Sequence, residues 1–377
     1  MAKLTFYPLG NADSCLVEFA DGRLMLVDYF YCKETESDED KRCNLPEKLK
    51  AMLGSKKRDY FDVVAFTHAD NDHVSGAEEF FWLEHADKYQ GDDHIKMKEM
   101  WVPACYILEE GLEGSARIIR QEARHRLKEG KGIRVFSQPN ALDEWLKSQK
   151  VDPESRRNLI TTAGTCVPGF TKENGQAEIF IHSPFKFQVD EEEIDRNNAS
   201  LVFHITFFEG DRVSRAWFGD DAEYDIWDRI IYKTKSKKRI ERLVWDVFKI
   251  SHHCSYSALS EEKGKDKTEP TKDIKYLFDL GQTGCYLISS SEVIPTKDTE
   301  QPPHKQAAAY YKEVADDKAG EFLVTMETPT KEKPEEIVIT IGSYGLICNG
   351  GEKNEQKRQG GYSTRKEPSI IGGGRFA

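Results

Sequence analysis

The sequence predicts a layered α/β fold, with two strand-rich halves and helices outside. Three observations carry this expectation. Short apolar runs separated by turn residues occupy the first 27 positions, recur at 61–66 and resume after position 177. Each half then passes into alternating strand and helix. Polar clusters stand where apolar strands stop, which is where α/β sheets place their sites.

The first strand is Leu4-Thr5-Phe6-Tyr7, followed by the loop Gly10-Asn11-Ala12-Asp13. Apolar runs at 15–19 and 24–27 flank Asp21-Gly22, a strong hairpin signal, and the second run ends at Asp28. A helix is expected at 45–53, a strand at 61–66 and a helix with an apolar face at 76–83. Residues 84–175 read as a helical insertion, with a basic helix at 113–130 and a short amphipathic one at 141–149. Strands follow at 178–182, 200–208 and 214–218, a helix at 222–232, and a strand at 244–250. A strand near 285–289, a helix at 305–314 and a hairpin at 321–326 and 336–341 complete one domain, residues 1–345. Residues 346–377, rich in Gly, Lys and Arg, read as a flexible tail.

With 377 residues, 38% hydrophobic and 32% charged, the chain is long enough for a large core under a very polar surface. No apolar run is long enough to span a bilayer and no charged-then-apolar leader opens at Met1, so a cytoplasmic protein without membrane partners is expected. The eight cysteines are scattered with no C-x-x-C pair, which fits reduced, mostly buried thiols. A net charge of -12 counts against a protein that coats nucleic acid nonspecifically. Two local basic runs remain as candidate contacts: Arg117, Arg120, Arg124, Arg126, Lys128, Lys131 and Arg134, and Lys233, Lys235, Lys237, Lys238, Arg239 and Arg242. Such runs are usually solvated faces.

The chemistry-bearing segment is Thr67-His68-Ala69-Asp70-Asn71-Asp72-His73, directly after Val63-Val64-Ala65-Phe66. Carboxylates and imidazoles this close desolvate or repel one another unless a cation sits among them. The loop therefore reads as half of a metal site, and of a dinuclear one. Three further pieces stand at strand or helix ends. In Trp217-Phe218-Gly219-Asp220-Asp221, Asp220 is expected as a ligand and Asp221 as a helix N-cap. In Ser251-His252-His253-Cys254-Ser255, one imidazole binds metal and the other supports it or meets substrate. In Pro302-Pro303-His304, one imidazole is expected at the mouth of the same cleft.

Taken together, Asp28, His68-x-Asp70-x-Asp72-His73, Gly219-Asp220 and His252-His253-x-Ser255 resemble the metallo-β-lactamase fold, a resemblance that implies a four-layered αββα sandwich with a helical insertion. Within that superfamily the chain resembles the ComEC-type competence nuclease domain and its stand-alone soluble relatives. The loop Gly10-Asn11-Ala12-Asp13-Ser14, Asp70 in place of the second His, Asn197-Asn198-Ala199-Ser200-Leu201-Val202, and Cys254 in place of Gly carry that resemblance. It implies that His68 and Asp70 hold a first metal, Asp72 and His73 a second, with Asp220 bridging and His252 or His253 completing the second. Taking His253 as ligand leaves Asp72, His252 and His304 as the catalytic groups. Asp28 would orient a metal-loop His, and His182 could supply an imidazole that Asn197 and Asn198 do not. Two divalent ions are implied, zinc by family default, with manganese or magnesium suited to the oxygen-rich shell. The expected activity is hydrolysis by a metal-activated water, on DNA or RNA as phosphodiester substrate. The alternatives are a small-molecule hydrolase (cyclic nucleotide, lactone or thioester) and a metal-stabilised subunit that meets partner proteins in a larger complex.

Overall fold

The computed structural model describes residues 1–37, 39–174, 176–186 and 196–350. Among these, the strands form two sheets. The first takes β1 (Ala2–Phe6), β2 (Cys15–Glu18), β3 (Leu24–Val27), β4 (Tyr60–Ala65), β5 (Lys96–Pro103), β6 (Ile133–Phe136) and β7 (Ile160–Thr161). The second takes β8 (Ala177–Ser183), β9 (Val202–Glu209), β10 (Arg212–Phe218), β11 (Trp245–Lys249), β12 (Gly281–Ser289) and β13 (Glu321–Val324). The hairpin β14 (Ile337–Gly342) and β15 (Gly345–Cys348) returns to the outer edge of the first sheet beside β1. Each sheet starts antiparallel and turns parallel, at β3–β4 in the first and β10–β11 in the second.

The expected four layers are present. Leu4, Phe6, Val17, Met25, Val63 and Trp101 from one sheet meet Ile179, Phe203, Ile205, Ala216 and Val247 from the other in a core between the sheets. The opposite face of the first sheet is covered by α1 (Leu45–Ser55), the short α2 (Asn71–Val74), α3 (Ala77–Phe80) and α4 (Ala104–Leu108), α5 (Gly114–Glu129) and α6 (Asn140–Ser148). The second sheet is covered by α7 (Tyr224–Ser236), α8 (Lys272–Asp279) and α9 (Lys305–Asp317). Strands β3 and β4 are buried on both faces, which explains their unbroken apolar runs.

Two boundaries differ from the sequence expectation. Residues 84–175 are not a helical insertion. They carry α5 and α6, but also β5, β6 and β7, which extend the first sheet in parallel register. The helical periodicity of 113–130 is genuine, while β5 was hidden because Lys96, Lys98 and Glu99 break its apolar pattern. The chain after 345 continues as β15, through Cys348, before the expected tail begins; residues 351–377 lie outside the described residues. All eight cysteines are free, and no helix among the described residues is long and apolar enough to cross a membrane.

Candidate metal centre

The two sheets bring the ends of β3, β4, β10 and β11 to one edge of the sandwich. Backbone hydrogen bonds fasten the loops there: Asp13 N to Asp72 O, Tyr29 N to His73 O, Leu201 N to Thr67 O and His252 N to Asp220 O, all at 3.0–3.1 Å. The turns are tight. Ten non-glycine residues among those described have positive φ, and five of them are here: Asp28, Asp220, His252, His253 and Cys254. Left-handed backbone in such residues costs about 1 kcal/mol or more each and is retained where surrounding packing over-determines it. Gly219 is needed for a different reason, close approach: a Cβ there would lie 2.3 Å from Ser251 Oγ and 2.7 Å from the Trp227 ring.

Two buried imidazoles, His68 and His73, face each other with ring centres 4.0 Å apart. The Nδ1 of each is held from behind by a carboxylate. Asp28 Oδ2 lies 3.0 Å from His73 Nδ1, and Asp220 Oδ2 lies 3.2 Å from His68 Nδ1. Thr67 Oγ1 ties the two carboxylates together at 2.6 Å from each. A carboxylate on Nδ1 fixes the ring so that the Nε2 lone pair points forward. Asp28 thus stands where an orienting residue is expected. Asp220, expected to bridge two metals, lies at the Nδ1 atoms of both rings, Oδ2 3.2 Å from His68 and Oδ1 3.5 Å from His73, with Oδ2 buried and without a hydrogen-bond partner.

In front of the rings, His73 Nε2 is 3.5 Å from Asp72 Oδ2, 3.5 Å from Asp221 Oδ1 and 3.7 Å from Asp13 Oδ2. His68 Nε2 is 3.6 Å from Asp70 Oδ2 and 3.8 Å from Asp221 Oδ2. His253 Nε2 reaches Asp72 Oδ2 at 2.8 Å, its Nδ1 donating to Ser290 O at 2.7 Å. Asp13 Oδ1, Asp221 Oδ1 and the Nε2 atoms of His68 and His73 are buried without a hydrogen-bond partner. Buried polar atoms are almost always satisfied, so several orphans converging on one space call for an absent partner. Ligand atoms about 2.1 Å from a shared divalent cation stand roughly 3–4 Å apart, the range found here. Asp13, His73, Asp221 and His253 form one such group, and His68, His73 and Asp220 another, on the Nδ1 side of the two rings.

The electrostatics agree. Burial and the neighbouring His73 pull His68 down, but Asp220 and Asp221 push it up to about 9. Burial likewise pulls His253 down, while Asp221, Asp72 and Asp13 push it up to about 9. Burial works to raise Asp221, yet His73 and His253 hold it well below the usual carboxylate range. Without metal, protons on the imidazoles balance the carboxylates; a divalent cation is the natural replacement.

Other expectations are corrected. Asp221 is no helix cap: α7 starts at Tyr224 with Glu223 before it, and the Asp221 side chain turns to the cage. His304 does not open onto the cleft. It is buried, accepts from Tyr256 N through Nδ1 (3.3 Å) and donates from Nε2 to Glu300 O (3.2 Å), so it fastens two loops. His182 supplies no ligand; its Nε2 is 2.8 Å from His204 Nδ1 and its ring stacks on Trp217 on the outer face of the second sheet. Cys254 is buried in the core under the second helical layer. His252, 23% exposed, lies beside the cage with its Nδ1 3.8 Å from Glu223 Oε1. The sequence reading missed Asp13, Asp221, Lys249 and Arg196. Lys249 Nζ is buried on Asp13 Oδ2 at 2.8 Å. A lysine inside the apolar run Val247-Phe248-Lys249-Ile250 was the available signal, since lysine is almost never fully buried unpaired.

Neither a known family's sequence model nor a curated protein matches this chain. Solved structures do. A diphosphatase of the PhnP family aligns at 10% identity over 77% of this chain and 87% of its own, with a TM-score of 0.31. The metallo-beta-lactamase GOB-18 from Elizabethkingia meningoseptica aligns at 12% identity over 73% and 88%, with a TM-score of 0.30. A long form RNase Z from yeast aligns at 13% identity over 86% and 40%, with a TM-score of 0.33. None of these similarities carries an activity to this chain.

Proposed function

We propose that the protein is a metal-dependent hydrolase of phosphodiester bonds. The observation that carries the reading is the convergence of unpartnered, buried Nε2 and carboxylate oxygen atoms on one space at the edge of the sandwich. His68, Asp70, Asp72, His73, Asp221 and His253 would hold two divalent ions, with Asp13 at the His73 side and Asp221, one oxygen toward each ring, as the shared ligand. An oxygen-rich set of this kind suits manganese as well as zinc. Bound divalent ions lower the pKa of a coordinated water and stabilise charge on a phosphoryl oxygen. The chain's own groups do the rest. Asp28 and Asp220 keep the Nε2 atoms of His73 and His68 forward and basic. His252, exposed beside the cage and close to Glu223, is placed to deliver a proton to a leaving oxygen.

The resemblance of the motifs to ComEC-type nucleases supports DNA or RNA as substrate. One observation favours a small phosphodiester instead. Much of the two basic runs is spent inside the protein: Arg120 on Glu109 O, Arg124 on Ile107 O and Glu110, Arg126 on Glu122, Arg134 on Glu99, and Arg242 on Glu178. A screen of the manganese- and zinc-loaded protein against single- and double-stranded DNA and RNA and against cyclic and bis-ester phosphodiesters decides between them. Asp221→Asn is expected to lose activity by about a hundredfold or more, the scale of a removed electrostatic catalytic group. Wild type and Asp221→Asn turning over every phosphodiester equally slowly would end the hydrolase reading.

A further inference from the structure

The donors of the cage are unevenly divided. Five side chains gather around the His73 side: Asp13, Asp72, His73, Asp221 and His253, of which Asp13, His73, Asp221 and His253 are buried. Around His68 Nε2 there are Asp70 and the other oxygen of Asp221. Asp70 is also shared. Its Oδ1 receives Arg196 Nη1 at 2.6 Å, and the same guanidinium binds Glu109 Oε1 through Nε at 2.7 Å. Arg196 immediately precedes Asn197 and Asn198, the pair expected to stand where a further imidazole would strengthen the His68 side.

We propose that Arg196 makes the two halves of the centre unequal: it occupies Asp70 as a built-in competing cation, so the His73 half takes a divalent ion tightly and the His68 half takes one weakly. The inference rests on the metal-centre reading above. Two cations on one carboxylate repel, and the guanidinium, which Glu109 shares, already offsets part of the charge of Asp70 before any metal arrives. Lys249 plays a similar part on Asp13, but the His73 half keeps Asp72, Asp221 and two imidazoles besides. The His68 half has besides Asp70 only His68 and the other oxygen of Asp221 at its Nε2 side, and Asp70 is 34% exposed, where water also competes. Arg196 is therefore a positioning residue that sets metal occupancy by way of Asp70.

Calorimetric titration of the chelator-stripped full-length protein with manganese(II) tests this without reference to activity. Wild type is expected to bind two ions with dissociation constants about tenfold or more apart. Arg196→Gln is expected to strengthen the weaker binding by about tenfold and leave the tighter unchanged; Arg196→Lys, which keeps the charge, stays closer to wild type. Asp70→Asn is expected to lose the weaker ion only, a result that stands even if Arg196→Gln does not fold. Equal constants in wild type, an Arg196→Gln protein with an unaltered ratio, or loss of the tighter ion in Asp70→Asn would each overturn the inference. Two equal ions leave the hydrolase reading intact; a wild type that binds none ends both.

Discussion

His68 and His253 are each pushed up to about 9 by the carboxylates around them, and His73 is held well above the ordinary imidazole value because Asp72, Asp28 and Asp221 outweigh the effect of burial. In the metal-free protein all three imidazoles are therefore protonated at neutral pH. A metal ion binds neutral imidazole, so it must displace those protons. Metal affinity is expected to rise with pH up to about 9, and uptake at pH 7 to release protons from His68, His73 and His253. Titration in two buffers of different ionisation enthalpy measures that release; uptake without protons, or affinity that falls as pH rises, would count against the assignment. At this scale the sequence was informative about residue types and poor about direction. His68, Asp70, Asp72 and His73 stood out from their spacing as metal-capable, whereas the sequence left open which of His252 and His253 is the ligand. Asp220 was expected as ligand and Asp221 as cap, but adjacent carboxylates point to opposite sides, and past the left-handed φ of 47° at Asp220 it is Asp221 that faces the Nε2 atoms while Asp220 faces Nδ1.

Among the elements, α5 shows how a run that reads as a basic face becomes internal wiring. Glu122 on this helix is fully buried and accepts from Glu84 N and His85 N at 3.0 Å, from His85 Nδ1 at 2.9 Å and from Arg126 Nε at 2.6 Å. Arg126 continues to Met97 O and Gly132 O, joining α5 to β5 and to the turn before β6. Burial alone would raise Glu122, but His85 and Arg126 bring it down to about 2. A depressed folded-state value means stability that is complete above the unfolded value near ~4.3 and is lost as pH falls toward 2. Glu122→Gln leaves Arg126 buried without its counter-charge and is expected to cost about 3–5 kcal/mol at pH 7. Urea unfolding at pH 7 and again at pH 3.5 checks both statements; the gap between wild type and variant narrows at the lower pH. The helical period of α5 was legible in the sequence, whereas the hydrogen-bond partners its arginines find outside the helix, between 6 and 29 positions away, were not.

For the whole molecule, β5–β7 extend the first sheet, so residues 84–175 share its core. Trp101 on β5 is fully buried between the sheets, packed on Phe136 and Phe170. Trp101→Ala is expected to destabilise the protein by about 3–5 kcal/mol. The loss should appear in a single unfolding transition, followed by tryptophan fluorescence and circular dichroism together. Two separate transitions would mean that 84–175 folds as a unit of its own. A layered α/β fold was readable in advance from two halves with strand-then-helix patterning, and the α-β-β-α order from what the resemblance of the site motifs implies.

What the sequence alone determined is therefore local and periodic: the hairpins, the doubly buried strands β3 and β4, and the polar clusters at strand ends. These follow from side-chain alternation and from the cost of burying His and Asp without a partner. The tertiary structure alone decided which atoms share a space. It placed Asp13 beside His73 and set Lys249, 236 positions further on, against it. It turned His304 and His182 away, and brought Arg196 to Asp70 across 126 positions. Charge pairing over such separations leaves no periodic trace in a chain; it exists only once the two sheets have closed on each other.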